Sequence, residues 1–564
     1  MMKSLLRLGC ACALVCASCS IAAVAQKIDP MLKASLVNSL QLEKRLTAMQ
    51  RHSLSNATLS RFALAHQIID SNRGVLNLRS TLMPGVRNGN RTASGLAGRQ
   101  PQMVPVSSPA FDYTLSRGGG FSQNDTSTAW CGQNVVTGYN DSSAVLLTLN
   151  SASGGLSFSG LAHSEDAGKT FTDLGYLDPG PASFNFLVGN PSVACANSMR
   201  FYYASMFATA VPINPTTLAF KEAIGINLSS DGGRTWSAPT AAVLMNSLNI
   251  LERESLAVDP SNPQRLYITF TDLDFQTAQS GLCVGDTQML IDFVSSADGG
   301  RTWTKPKTIE RVCGSSGNAA NGSQVAVSPS GIVYVTYLFY DNTDGREVIQ
   351  LRESEDHGTT FRRPVDVTTV VPAGADSMLQ GMFLSNEYPS LAVDRSKGNS
   401  RETVYLGWTD GRNRSQIDVF SGAGVYNFAD ILLVKSVDHG RHWSTPTGVN
   451  PIANDANTDQ FMPSVAVDST GKLAVCYSDR RNDPQNNAID HYCSVSQDGG
   501  ASFRDLRLTS TSWSPSHFTD LVLNINYMQD YDVVSPDWTG ANGGFFGGFQ
   551  FQSYGNPSAY GTRF

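Results

Sequence analysis

From about residue 120 onward, apolar positions fall in short runs bounded by Gly, Asp, Asn and Pro, which predicts β-strands, and helical spacing is scarce. The runs repeat. Glu254-Ser255-Leu256-Ala257-Val258-Asp259, Pro389-Ser390-Leu391-Ala392-Val393-Asp394 and Pro463-Ser464-Val465-Ala466-Val467-Asp468 are near copies, each followed by an apolar strand such as Leu266-Tyr267-Ile268-Thr269-Phe270. Weaker versions begin at Asp125-Thr126-Ser127, at Asn190-Pro191-Ser192-Val193-Ala194 and at Ser323-Gln324-Val325-Ala326-Val327. Strands this short, with small residues and nearly unbroken apolar character, suit an innermost position buried on both faces.

A second repeat follows each of these strands. Ser164 to Phe171, Ser229 to Trp236, Ser296 to Trp303, Ser354 to Phe361, Ser436 to Trp443 and Ser496 to Phe503 share the pattern S-x-D-x-G-x-[TSH]-[WF]. Their aspartates, Asp166, Asp231, Asp298, Asp356, Asp438 and Asp498, are 65, 67, 58, 82 and 60 residues apart, the length of a four-stranded unit repeated around a ring. The Ser and Asp side chains can satisfy backbone N–H groups of a tight hairpin, and the Gly supplies a backbone shape that other residues resist. The expected fold is therefore all-β, a β-propeller with one blade per repeat. After the sixth turn, Asp530 to Val534, Gly543 to Phe549 and Ala559 to Phe564 read as three more strands. A seventh blade then takes its outer strand from the N-terminal side, at Ala110 to Ser116, and closes the ring across the termini; the alternative is six blades with extra edge strands.

The start of the chain is different. Lys3 and Arg7 precede an apolar stretch from Leu8 to Val24, with Ala23-Val24-Ala25 before Gln26, so residues 1–25 read as a signal peptide and the protein as secreted or periplasmic. A lipid anchor through Cys19 is the alternative. Residues 26–79 form a basic segment with helix-compatible spacing at Leu32, Leu36, Leu40, Phe62, Ala65 and Ile69, which predicts two short helices. Residues 80–108 turn to Gly, Pro, Ser, Asn and Arg and read as a linker, leaving 109–564 for the propeller. No later apolar run is long enough to cross a membrane.

Charge separates the same regions. Residues 26–103 hold eleven Lys or Arg against three acids, whereas 104–564 hold 28 against 45. An acidic body argues against a nucleic-acid partner, and the basic segment either docks on that body or tethers the protein to an anionic surface. Six cysteines follow the signal: Cys131, Cys195, Cys283, Cys313, Cys476 and Cys493. The repeat register sets Cys476 beside Cys493 and Cys131 beside Cys195, with Cys283 and Cys313 remaining; disulfides and buried thiols are both open. No CxxC or His-rich cluster assigns a metal, and no cofactor is assigned.

The six turns resemble those of the Asp-box, or BNR, propellers, whose best-known members are sialidases and related exo-acting glycosidases. The resemblance covers Phe121 to Phe564 and implies a carbohydrate or glycoconjugate as partner. It implies chemistry by an arginine grip on a carboxylate, a phenol nucleophile and a carboxyl acid/base. The Phe-Arg-Ile-Pro motif of sialidases has no counterpart, since Phe121-Ser122-Gln123-Asn124-Asp125 stands in its place. In a propeller, the loops leading into each innermost strand and out of the second share one face, opposite the repeated turns, and that face collects acids including Asp125 and Asp530. The candidates for acid/base or nucleophile are Glu254, Glu387, Asp459 and Asp532, with Tyr388 and Tyr531 as phenols and Arg253, Arg412 and Arg480 as anion grips. Blade five adds an apolar stretch around Leu379 and Phe383 and an excursion from Gly411 to Asn427, a lid, a partner-binding surface or a seat for the basic segment. A non-catalytic module that binds glycan or protein on the same face is the competing class.

Overall fold

In the computed structural model, residues 30–47, 50, 54–70, 101–108, 121–149, 155–182, 184–214, 217–375, 378–381, 383–418, 424–451, 457–514, 520, 530–552 and 557–564 are described. The expected signal peptide, most of the expected linker and the Ala110–Ser116 segment lie outside them. Seven four-stranded antiparallel sheets form the blades of a β-propeller. The innermost strands are Gln123–Cys131, Phe186–Asn197, Asn249–Val258, Ala319–Val327, Ser390–Val393, Gln460–Val467 and Val534–Pro536, in blades one to seven. Blade two gains a fifth, parallel strand, Leu156–Ser157.

Blade seven closes the ring across the termini, as the count of strands predicts, through a different segment. Its outermost strand is Met103–Pro105, antiparallel to Ser558–Arg563, with Met103 opposite Thr562 and Pro105 opposite Tyr560. That strand comes from the end of the 80–108 stretch, where Pro105 is tolerated because an edge strand leaves its N–H side unpaired.

The six repeated turns have one geometry. In the third, Ser296 Oγ donates to Asp298 Oδ1 (2.9 Å) and accepts the Gly300 N–H, while the Arg301 and Thr302 N–H groups and the Thr302 hydroxyl all donate to the Asp298 carboxylate. Those bonds, the Thr302 hydroxyl first, hold the Asp298 carboxyl down at about 2. Both residues after the Asp are left-handed: Ala167 (φ 59°), His357 (58°) and His439 (64°) share with Gly232, Gly299 and Gly499 the first position, and a glycine always takes the second. Space enforces the second glycine as well, because a Cβ on Gly358 would lie 2.3 Å from the Phe293 ring.

Adjacent blades are latched at the axis. Ser127 Oγ accepts the Val193 N–H, Ser192 that of Leu256, Ser255 that of Val325, Ser390 that of Val465 and Ser464 that of Val534, and Gln324 Oε1 plays the same part for Leu391. Blade seven has Val533 at this position and closes on blade one by backbone, Val533 N–H to Thr126 O at 2.9 Å. The cysteines form three disulfides, Cys131–Cys195 between blades one and two, Cys283–Cys313 and Cys476–Cys493.

The two helices, α1 (Pro30–Glu43) and α2 (Asn56–Asp70), dock on the acidic body. Leu32, Leu36, Leu40, Ala57, Leu64 and Ala65 pack against Phe158, Phe186, Val188 and Met206, and Leu42, Leu46, Leu54 and Phe62 continue onto Ile250, Leu273 and Met289. Arg61, buried, makes a two-pronged bond to Glu222 at 2.6 and 2.8 Å. Ser55 N–H donates to Glu252 at the head of an innermost strand, so the helices lie on the face opposite the repeated turns. The blade-five insertions fold as two hairpins, Met378–Leu379 with Phe383–Leu384 and Ser415–Asp418 with Gly424–Asn427. They lean on blade six, where Phe383 meets Phe461 and Tyr426 donates to Asp459.

Candidate functional site

Each innermost strand of blades one to four and six slips register by a bulge just where it meets the axis, between Asn124 and Ser127, Gly189 and Ser192, Glu252 and Ser255, Asn321 and Gln324, and Phe461 and Ser464. In each bulge one residue is left-handed: Asp125 (φ 52°), Asn190 (57°), Arg253 (53°), Gly322 (67°) and Met462 (55°). Tyr388 and Tyr531 hold the corresponding sequence positions in blades five and seven. Non-glycine residues held left-handed at a bulge store strain, and bulges re-aim side chains beside functional sites. Five of these residues, Arg253, Gly322, Tyr388, Met462 and Tyr531, form the upper rim of an axial cavity of about 230 Å³ that runs between the innermost strands.

Four of the nine sequence-derived candidates line this cavity: Arg253, Glu254, Tyr388 and Tyr531. Two acids outside that set complete the cluster, Asp125 and Asp530. Arg253 Nη1 lies 2.6 Å from Asp530 Oδ1, both side chains at least 95% buried, and the guanidinium sits 4.4 Å over the Tyr388 ring. Although burial opposes its charge, Asp530 holds Arg253 firmly protonated. The Asp530 N–H donates to Asp125, and burial, reinforced by the neighbouring Asp530, pushes the Asp125 carboxyl well above the usual range. Asn140 donates to the other Asp125 oxygen at 2.6 Å. Tyr531 reaches past blade one to donate to Pro191 O (2.8 Å), and Asn386 of the blade-five loop donates to Asp530 O (3.2 Å). Burial keeps both phenols, Tyr388 and Tyr531, un-ionised well past their ordinary range.

Glu254 stands apart within this set. It is buried, and its two oxygens lie near the backbone of its own residue and of Met206 without making a hydrogen bond of ordinary geometry. Burial pushes its carboxyl well above the usual range, with Glu252 adding to the effect.

The other candidates do not line this cavity. Asp532 accepts from the Thr126 hydroxyl at 2.7 Å and so sits on the seam between blades seven and one. Glu387 accepts the Ala373 N–H under blade five, where burial and then Glu347 raise its carboxyl strongly. Arg412 clasps Asp410 through Nε and Nη2, each at 2.7 Å, and Asp410 also receives the Trp408 indole N–H. Asp459 and Arg480 are both fully buried; Asp459 takes bonds from Tyr426, Ala429 and Asn486, while Arg480 lies between the rings of Phe383 and Phe461. These networks tie loops of the upper face to the blades.

No protein-family model and no curated protein matches the chain. Solved structures do. An α-L-arabinanase of Penicillium chrysogenum complexed with arabinobiose is 13% identical, covering 70% of this chain and 97% of that one at a TM-score of 0.38. An α-L-arabinofuranosidase of Fusarium graminearum is 12% identical over 68% of this chain and 93% of that one, at 0.39. A Trypanosoma rangeli sialidase is 12% identical over 66% of this chain and 54% of its own, at 0.36.

Proposed function

We propose that the protein processes carbohydrate at the upper rim of the axial cavity, as an exo-acting glycosidase of the sialidase-like, Asp-box type. The observation that carries this reading is Glu254, a buried carboxyl lining the cavity whose oxygens make no hydrogen bond of ordinary geometry. Cleaving a glycosidic bond needs a proton delivered to the departing oxygen, and a carboxyl kept neutral by burial delivers it. Beside it, Arg253 offers a fixed positive charge and Tyr388 and Tyr531 offer un-ionised phenols, groups suited to a sugar's carboxylate and hydroxyls. Asp125 and Asp530 stand together behind Arg253, Asp530 pairing with the guanidinium and donating its N–H to Asp125. In this reading Asp532, Glu387, Asp459, Arg412 and Arg480 hold the surrounding loops. The three disulfides support residence in an oxidising compartment, secreted or periplasmic, reached through the signal peptide.

A second reading, a non-catalytic glycan- or protein-binding propeller, is favoured by the bracing of the rim: the Arg253–Asp530 pair and the Tyr531–Pro191 bond already engage the groups that would grip a substrate. The test is a panel of sialosides, neutral oligosaccharides and uronic-acid oligosaccharides incubated with protein from residue 26 onward. Products seen by mass spectrometry, and lost in Glu254→Gln, support the glycosidase. Saturable binding without products supports the second reading.

A further inference from the structure

The axial cavity has a second end, on the face of the repeated turns, and there the chemistry is of the opposite sign. Arg395 and Trp538, in the turns that leave the innermost strands of blades five and seven, both line it. The Arg395 guanidinium lies 4.3 Å over the Trp538 ring, and its Nε donates to Val327 O at 3.2 Å. No carboxylate lies within ion-pair distance of it among the described residues. Other arginines of the protein differ: Arg61, Arg253, Arg412, Arg481 and Arg507 each hold a carboxylate within 2.7 Å.

The absence of a partner has a cause in the repeat. Every innermost strand that ends in Asp uses that side chain to cap its own turn. Asp259 accepts from the Ser261 N–H and hydroxyl and from Tyr267, Asp394 from Ser396, Asp468 from Thr470 and Lys472, and Asp537 from Gly132, Thr539 and Asn542. Of these, Asp259 favours the charged form of Arg395 without making an ion pair with it. Burial lowers the Arg395 pKa to about 10, so the group stays charged at neutral pH. A guanidinium held over an indole with its Nε bonded to Val327 O has its two outer nitrogens left in the planar fork that matches a carboxylate. Trp538 remains 41% exposed, leaving part of its surface for the body of a ligand.

We propose that the lower mouth of the axial cavity is a binding site for a small carboxylate-bearing ligand of the acidic-monosaccharide class, with Arg395 taking the carboxylate and Trp538 the face of the ring. The site is independent of the glycosidase reading, since it shares no residue with the upper rim. It explains why one charged side chain in the axis of an acidic body is left without a protein counter-ion.

The experiment titrates full-length secreted protein with sodium glucuronate, and separately with glucose, at matched ionic strength by calorimetry and by tryptophan fluorescence. The expected result is saturable binding of glucuronate and none of glucose. Arg395→Met should weaken glucuronate binding by about ten-fold or more, the worth of a charge-assisted hydrogen-bond pair. Trp538→Phe should abolish the fluorescence change and keep calorimetric binding. Where Arg395→Met does not fold, Arg395→Lys, which retains charge and loses the fork, takes its place with a smaller loss expected. Glucuronate binding no tighter than glucose, or unchanged in the Arg395 variant, overturns the proposal.

Discussion

Tyr388 occupies the space that a side chain on Gly322 would need: a Cβ there would lie 2.1 Å from the Tyr388 ring. Blade four thus gives up a side chain at the rim so that the phenol of blade five can reach the guanidinium of blade three. Gly322→Ala meets both that clash and a left-handed backbone (φ 67°). It should destabilise the protein by about 3 kcal/mol, the sum of a left-handed non-glycine residue and overpacking. Urea unfolding checks the magnitude.

The latch between blades is open to a direct test at Ser390, whose hydroxyl accepts the buried Val465 N–H at 2.9 Å. Ser390→Ala leaves that N–H without a partner and should lower stability by about 1.5 kcal/mol. Ser390→Thr, which keeps the acceptor, should restore most of it.

Arg61 and Glu222 bury opposite charges at the junction of helix and propeller. Arg61→Met strands the carboxylate and should cost about 3 kcal/mol. Hydrogen exchange should rise in residues 54–70 before it rises in the blades, because beside apolar packing the helices are held by this pair and by few other polar bonds, such as Ser55 to Glu252 and Asn38 to Ser247.

Stability should fall at both ends of the pH scale for different reasons. The turn carboxyls of Asp231, Asp298 and Asp356 titrate near 2 in the folded protein, below their ordinary 3.8. Their contribution is complete above about pH 4 and is lost as pH falls toward 2. Glu347 and Asp292 are raised, by burial first, to about 7 and about 6. Their contribution has the opposite sign, full below their unfolded values and lost as pH rises through 6 to 7. Thermal unfolding across pH 2 to 8 should therefore peak between, and Glu347→Gln should make the fall toward pH 7 shallower, Asp292 keeping its share, while leaving the acid limb intact.

The six turns made the propeller legible because each of their residues has a local task that sequence alone reveals, from the Ser and Asp that bond the backbone to the glycine that takes a left-handed shape. Helices in 30–70 were legible for the same kind of reason, a spaced apolar face. The strand that seals blade seven was not. Met103-Val104-Pro105 is three residues long with no alternation, and its identity is fixed only by Thr562 and Tyr560 across the gap. At the rim, sequence found Arg253, Glu254, Tyr388 and Tyr531 because they lie in the loops that lead to the axis. It could not separate them from Asp459, Arg480 or Arg412, since a carboxylate that caps a loop and one that faces a cavity are the same letter. The bulge that unites Asp125, Asn190, Arg253, Gly322 and Met462 was hidden because these residues share a backbone conformation and no side-chain chemistry.

The most direct test of the account is the rate of glycoside cleavage by Glu254→Gln beside that of Asp298→Ala, each confirmed folded. The account predicts that the first, which keeps shape and loses the transferable proton, abolishes product formation, while the second, on the opposite face, lowers the melting temperature and keeps the activity per folded molecule. Undiminished cleavage by Glu254→Gln would contradict it.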